Sequence, residues 1–136
     1  MSFKRIVLLD GKQNATAVGA SFSVQTGTMG ILSLEEITVT GTTPKMDAYL
    51  QGSDDDGTIW YDLPADQILK TDASAPGEPV LLNSRNVNGP SSMIAAGKWV
   101  AIYKHLPSKH VRLAWVISGT FAAGEGFDTE ATLDLK

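Results

Sequence analysis

The residues with the clearest capacity for chemistry lie in one acidic turn, Ser53-Asp54-Asp55-Asp56-Gly57. Carboxylate oxygens are ligands that Ca²⁺ prefers, so Asp54, Asp55 and Asp56 form a candidate calcium site. An EF-hand loop counted from Asp54 requires glycine at the position where this chain has Ile59. The EF-hand pattern is therefore excluded, and a looser calcium site stays open as one alternative.

The same turn carries a structural motif. Ser53, Asp55, Gly57 and Trp60 resemble the Asp box, Ser-x-Asp-x-Gly-x-Thr-Trp, with Ile59 in place of the threonine. In families with Asp boxes, such as sialidase propellers, the motif is a structural hairpin, and the resemblance implies that role for these eight residues. The physical basis is that Ser and Asp side chains bond the backbone of their own turn, while glycine supplies a positive φ. We therefore expect a structural turn.

Two other pairs of residues have types suited to acid–base chemistry. His105 and His110 flank a proline-containing loop, but a metal site normally needs three or four ligands. Glu35 and Glu36 are adjacent, and neighbours in a strand point to opposite faces, so they could not act together as a glycosidase pair without a bulge. An edge or bulge position is expected for them instead. We expect no catalytic residues and no cofactor. An enzyme would require an unrecognised site around the two histidines and the acidic turn.

Composition narrows the class of protein. The chain has 136 residues, 43% hydrophobic and 19% charged, with a net charge of -4 and no cysteine. These values predict one folded domain spanning residues 1–136, without disulfides or thiolate metal sites. Nucleic acid is not expected as a partner, because phosphate binding needs clustered Lys and Arg. No apolar run approaches the roughly 18 residues of a membrane span, so no membrane partner is expected.

Period-2 alternation of apolar residues, broken repeatedly by Gly, Pro and Asp, predicts many short strands. The clearest case is a hairpin over residues 45–63, with the acidic turn at its tip. We therefore predict an all-β fold, a single-domain antiparallel β-sandwich that is jelly-roll-like. The predicted strands are Phe3–Leu9, Val18–Val24, Gly30–Thr40, Lys45–Gly52, Thr58–Leu63, Trp99–Lys104, His110–Gly119 and Phe127–Leu135.

Two details of this pattern are specific. Apolar parity switches near Glu35, which predicts a β-bulge that restores one buried face. Trp99 and Trp115 have aliphatic neighbours on the same face and are expected in the core. Trp60 and Tyr49 have the opposite parity to the aliphatic residues of their hairpin, so they are expected to be exposed or to face another subunit.

Three segments fall outside the regular strands. Residues 1–15 are a possible N-terminal arm, and Met1–Leu9 is predicted to pair with a neighbour's sheet edge. Residues 65–70 are a possible helical turn. Residues 72–97 are rich in Ala, Ser, Asn, Pro and Gly, which predicts a long irregular connection with one short strand near Val80.

The layout of residues 30–136 resembles small virion proteins of tailed bacteriophages, of the capsid decoration or cement type. The resemblance is carried by AYLQGSDDDGTIWYDL (48–63), HVRLAWVISGT (110–120) and the alternating strand that follows. It implies a β-sandwich in the virion, assembled in the host cytoplasm, that binds the outside of the capsid. The implied partner is the major capsid protein or another virion protein, and the implied state is a homo-oligomer, dimer or trimer.

A different class of function stays open. Similar strand–turn pairs occur in carbohydrate-binding modules and in receptor-binding head or tail fibre domains. In that case exposed aromatic residues around Trp60 would stack on sugars.

Overall fold

A computed structural model describes residues 4–55, 57–63, 65–70, 78–80 and 97–136. This part of the chain forms eleven strands, and every pairing between them is antiparallel. They are β1 (Lys4–Gln13), β2 (Ala17–Val18), β3 (Phe22–Ser23), β4 (Gly30–Val39), β5 (Thr42–Ser53), β6 (Tyr61–Asp62), β7 (Gln67–Lys70), β8 (Glu78–Val80), β9 (Gly97–Tyr103), β10 (His110–Thr120) and β11 (Phe127–Leu135). Within the same residues, no helix has the length and apolarity needed to cross a membrane.

The strands form two sheets that pack as a sandwich. One sheet has the order β1-β11-β4-β9-β7-β8, and the other has β2-β10-β5-β6, with β3 also paired to β10. The predicted all-β sandwich of antiparallel sheets is therefore confirmed. Because β1 and β11 are neighbours, the two ends of the described chain lie side by side, with Lys4 opposite Leu135.

The core lies between the inward faces of the two sheets. Alternate residues of β4, β5, β9, β10 and β11 point into it, as expected for sheets that are buried on one side. Trp99 is 1% exposed and Trp115 is 4% exposed, so the prediction that both belong to the core is confirmed. Other core side chains are Ile6, Leu8, Leu32, Leu34, Met46, Leu50, Leu63, Leu106, Val111, Leu113, Phe127, Leu133 and Leu135.

The predicted hairpin and bulge are both present. β5 pairs with β6 through Gln51 opposite Asp62 and Gly52 opposite Tyr61, although the second strand is shorter than predicted. In β4, the register against β11 shifts between Glu36 and Thr38, so residue 37 has no Cα partner. This is the bulge that the parity switch near Glu35 predicts. It keeps Leu32, Leu34 and Val39 on the core side.

The N-terminal segment contains the strand that was predicted at Phe3–Leu9. Residues 4–13 form β1, which pairs with β11 along its whole length. Ile6 and Leu8 are each only 8% exposed and belong to the core. The described part of the segment is therefore an edge strand of the chain's own sheet. Burial of these side chains within the molecule is the reason that residues 4–13 pack onto the chain's own sheet.

Other predicted segments also differ from the observed structure. Val18–Val24 is not one strand but two short pairings, since three residues between Val18 and Phe22 face only two on β10. That extra residue interrupts the ladder. Residues 67–70 form β7 instead of a helical turn, because they pair with β9. Most of the predicted connection 72–97 lies outside the described residues, and Glu78–Val80 within it forms β8.

Candidate functional site

The acidic turn lies at one end of the sandwich, directly after β5. Ser53, the last residue of β5, is opposite His110 at the start of β10. On the other side of β10, His110 is opposite Ser23 of β3. Register therefore places the turn, the start of β10 and the end of β3 in one row across the same end of the sheet.

The side chain of Ser53 is the centre of the turn. Ser53 is completely buried, and its Oγ donates to Asp55 Oδ1 over 2.7 Å. The same Oγ accepts hydrogen bonds from the backbone N–H groups of Gly57, at 3.0 Å, and Asp55, at 3.4 Å. Gly57 has a φ of 87°, a conformation that glycine adopts without strain. Bonds from a side chain to its own turn are what the sequence motif predicts here.

Asp55 closes the other half of the turn. Its Oδ1 accepts a hydrogen bond from the backbone N–H of Ile59 at 2.9 Å, in addition to the one from Ser53. These bonds stabilise the charged carboxylate, with the Ile59 amide first and the Ser53 hydroxyl second, and they lower the pKa of Asp55. The carboxylate therefore holds the turn together as an acceptor of hydrogen bonds.

Trp60 fixes the turn to the sheet. Its indole Nε1 donates to the carbonyl of Gly57 over 2.8 Å. The guanidinium of Arg112 lies over the Trp60 ring, 4.2 Å from its centroid. Arg112 also donates from Nε to Gln51 Oε1 over 2.8 Å, and Gln51 in turn donates to Asp62 over 3.0 Å. Sequence reasoning missed Arg112, because only the β5–β10 register brings it to the turn.

The backbone next to the turn is packed without spare space. At Gly52, an added Cβ would lie 2.5 Å from Ser108 Oγ and 3.1 Å from Leu63 Cδ2. Ser108 is completely buried in the connection between β9 and β10. The turn is therefore held in place by packing against that connection as well as by its own hydrogen bonds.

The outer surface of the turn is apolar and acidic. Ile59 is 68% exposed and Tyr61 is 37% exposed, and the carboxylates of Asp54 and Asp55 are also at the surface. The Tyr61 hydroxyl donates to Asp54 Oδ2 over 3.2 Å. Desolvation and then this carboxylate raise the pKa of Tyr61, so the phenol stays protonated near neutral pH. We call Asp54, Asp55, Ile59 and Tyr61 the acidic tip.

The calcium alternative is not tested by this geometry. Asp56 lies outside the described residues. Among the residues that are described, no group of three His, Cys, Asp or Glu side chains is placed to hold a metal ion. Oδ1 of Asp55 is already used by two hydrogen bonds within the turn. A calcium site at Asp54, Asp55 and Asp56 stays a prediction.

The other candidate residues lie on different elements of the fold. His105 is exposed in the β9–β10 connection, whereas His110 is half-buried at the start of β10. Glu35 is exposed beside the β4 bulge, and its carboxylate lies 3.5 Å from Lys98 Nζ across the strand pair. Glu35 therefore forms a surface ion pair at a bulge, as expected from its position.

A second feature at this end of the sandwich was not predicted. A surface pocket of about 380 Å³ lies between the end of β11, the start of β1 and the β3–β4 connection. Lys4 and Lys136 line it together with the apolar side chains of Val24 and Leu135, and we call it the lysine pocket. Its two lysines are at opposite ends of the sequence, and only the pairing of β1 with β11 brings them together.

Comparisons with known proteins give one informative result. No family model matches the chain, and no curated protein matches it. The crystal structure of the SPBc2 prophage-derived protein YomS is similar, with a TM-score of 0.54 and 11% sequence identity. The match covers 99% of this chain and 94% of that chain. At this identity the likeness shows a shared fold.

Proposed function

We propose that the chain is a structural phage virion protein that decorates and stabilises the outside of the capsid as a symmetric homo-oligomer. The observation that carries the proposal is the fold likeness to a prophage-derived protein, which extends over nearly the whole of both chains. The sequence resemblance to decoration proteins of tailed phages points the same way. A role in the virion needs no catalytic residues, and we propose that the chain is not an enzyme.

The physical features of the sandwich suit a decorating role. A protein that stabilises a shell needs surfaces that are already ordered, since each contact then loses little conformational entropy. The acidic tip meets this condition, because three backbone N–H groups of the turn donate to Ser53 or Asp55, and these two side chains are bonded to each other. A symmetric oligomer that touches several shell subunits at once gains avidity from contacts that are individually weak.

The test is to look for the chain in particles of the phage that encodes it. Particles purified by density gradient are analysed by quantitative mass spectrometry, with the major capsid protein as the internal standard. A decorating protein is expected at a fixed ratio to the capsid protein, and it should be labelled by an impermeant reagent on intact particles. Absence from particles, or protection from labelling, would contradict the proposal.

The carbohydrate-binding alternative has less support from the site. One face of the Trp60 ring is occupied by Arg112, and its N–H is used by Gly57, so only one face is left for a sugar. Glycan binding that is lost on Trp60→Ala, with the fold intact by circular dichroism, would favour this alternative over decoration.

A further inference from the structure

We propose that two copies of this chain dock end to end, with the acidic tip of each copy inserted into the lysine pocket of the other. The inference deepens the proposed function, because it names the surface through which the homo-oligomer forms. It rests on three observations: an exposed apolar and acidic projection, a basic pocket with an apolar floor, and their position at the same end of the sandwich.

The tip has the properties of an interface anchor. Ile59, at 68% exposure, is the most exposed of the large hydrophobic side chains in the described part of the chain. Its backbone N–H is bonded to Asp55, so the side chain projects from a fixed base. Asp54 and Asp55 stand beside it. A rigid apolar group flanked by carboxylates fits a recess that has an apolar floor and a cationic rim.

The lysine pocket provides such a recess. Val24 supplies apolar surface beside the small exposed part of Leu135, and Lys4 supplies positive charge at the rim, where Lys136 also lies. The polar residues Ser23, Gln25 and Thr28 also line the pocket. Its volume of about 380 Å³ lies at the lower end of the range for pockets that bind small groups, roughly 300–1,000 Å³.

The position of the two features selects the symmetry. Ser53, at the base of the tip, and Ser23, in the wall of the pocket, face His110 from opposite sides of β10, so these two residues are two strand spacings apart, about 10 Å. A two-fold axis running between them places each tip at the partner's pocket. Such an interface is isologous and closes at two copies, whereas features at opposite ends would produce an open chain.

Charge and apolar burial both contribute to this contact. Opposite charges at the rim favour the correct orientation and are screened by salt. Burial of one Ile59 side chain strengthens binding by at least about tenfold, and a two-fold dimer contains two of them. Replacement of Ile59 in both copies is therefore expected to raise the dimer dissociation constant by about a hundredfold.

The test begins with the solution mass of the full chain by sedimentation and by light scattering, as a function of protein and salt concentration. The wild-type protein is expected to be a dimer that dissociates as salt is added. Ile59→Ser is expected to be a monomer at the same concentrations. Val18→Ser is the matched control, because Val18 is 48% exposed but lies on β2, away from the tip.

Reversing the charge of the tip in one variant and of the pocket in another distinguishes this contact from any other dimer interface. Asp54→Lys and Lys4→Glu are each expected to be monomeric, because each places like charges together at both contacts. Mixed in equal amounts, the two variants are expected to form a heterodimer, since every tip then meets a pocket of opposite charge. Native mass spectrometry distinguishes the heterodimer from both parents.

These measurements have results that contradict end-to-end docking and results that support it. A wild-type monomer up to its solubility limit, or a dimer that is unaffected by Ile59→Ser and by the charge reversals, would overturn this inference. A wild-type monomer would also remove the homo-oligomer from the proposed function, whereas a dimer unaffected by these changes would leave it untouched. Decoration itself stands or falls on the presence of the chain on particles. Conversely, a charge-exchanged heterodimer would support end-to-end docking even if the chain were absent from virions.

Discussion

Gly52→Ala is expected to destabilise the protein, because the space beside Gly52 is already filled. The new Cβ would lie 2.5 Å from Ser108 Oγ and 2.8 Å from Ser108 Cβ, closer than such atoms approach. Forced overpacking of this kind costs about 1–3 kcal/mol. For a chain of 136 residues, 1 kcal/mol corresponds to about 3–5 °C, so the melting temperature should fall by roughly 3–15 °C.

A double-mutant cycle assigns this cost to the contact with Ser108. Ser108→Gly removes the two atoms nearest to the new methyl group, so Gly52→Ala should cost less in the Ser108→Gly background than in the wild type. A coupling of about 1 kcal/mol or more is expected, measured by urea unfolding followed with tryptophan fluorescence. Gly19→Ala is the control, because its Cβ would meet nothing closer than 3.4 Å. Additive costs, or a fully stable Gly52→Ala variant, would refute the account of how the turn is seated.

Three further predictions follow from the same geometry. Ser53→Ala leaves the amide of the turn glycine without its acceptor, so it should lower the free energy of unfolding by about 1–3 kcal/mol in urea, and an unchanged midpoint would contradict this role. The pKa values of Asp55 and Asp134 are lowered in the folded state, so their contribution to stability is present above about pH 4 and is lost as the pH falls through the lower folded values. Acid unfolding of the Asp55→Asn variant should therefore show a weaker pH dependence below pH 4, and an identical profile would exclude the effect. Deletion of Met1–Leu9 removes two core side chains and part of a paired edge strand, so the truncated chain should lose its cooperative thermal transition, whereas a wild-type melting curve by circular dichroism would show that β1 is dispensable.

Local sequence patterns predicted most strands and one irregularity. Alternation alone placed Phe127–Leu135 and His110–Gly119 close to their observed bounds, because a strand buried on one face has a period of two. The parity switch near Glu35 predicted the bulge for the same reason. The prediction of a helical turn at residues 65–70 is wrong, because residues 67–70 pair with β9, a long-range contact that no local pattern encodes.

The N-terminal segment shows a second limit of the sequence. A short apolar run next to basic residues is compatible with an arm that pairs with a neighbour or with a strand of the same molecule. Pairing with β11, more than a hundred residues away, and burial of Ile6 and Leu8 show that residues 4–13 are a strand of the same molecule. Sequence alone gives neither the partner strand nor the edge position.

The site was predictable only in its local part. A turn of this kind is directly indicated by the pattern of Ser53, Asp55 and Gly57. The observed hydrogen bonds of Ser53 join residues within the five-residue segment 53–57. The stacking of Arg112 on Trp60 depends on strand register between distant segments. The lysine pocket likewise depends on the pairing of β1 with β11, so no sequence motif predicts it.

The most direct test of the proposed decorating role is electron cryomicroscopy of phage particles produced with the gene for this chain. A decorating protein predicts density for the β-sandwich on the outer surface of the shell, at positions that follow the capsid symmetry. Particles from which the gene has been deleted should lack that density and should lose their DNA at a lower temperature. A shell with no such density, or deletion particles indistinguishable from the wild type, would contradict the account.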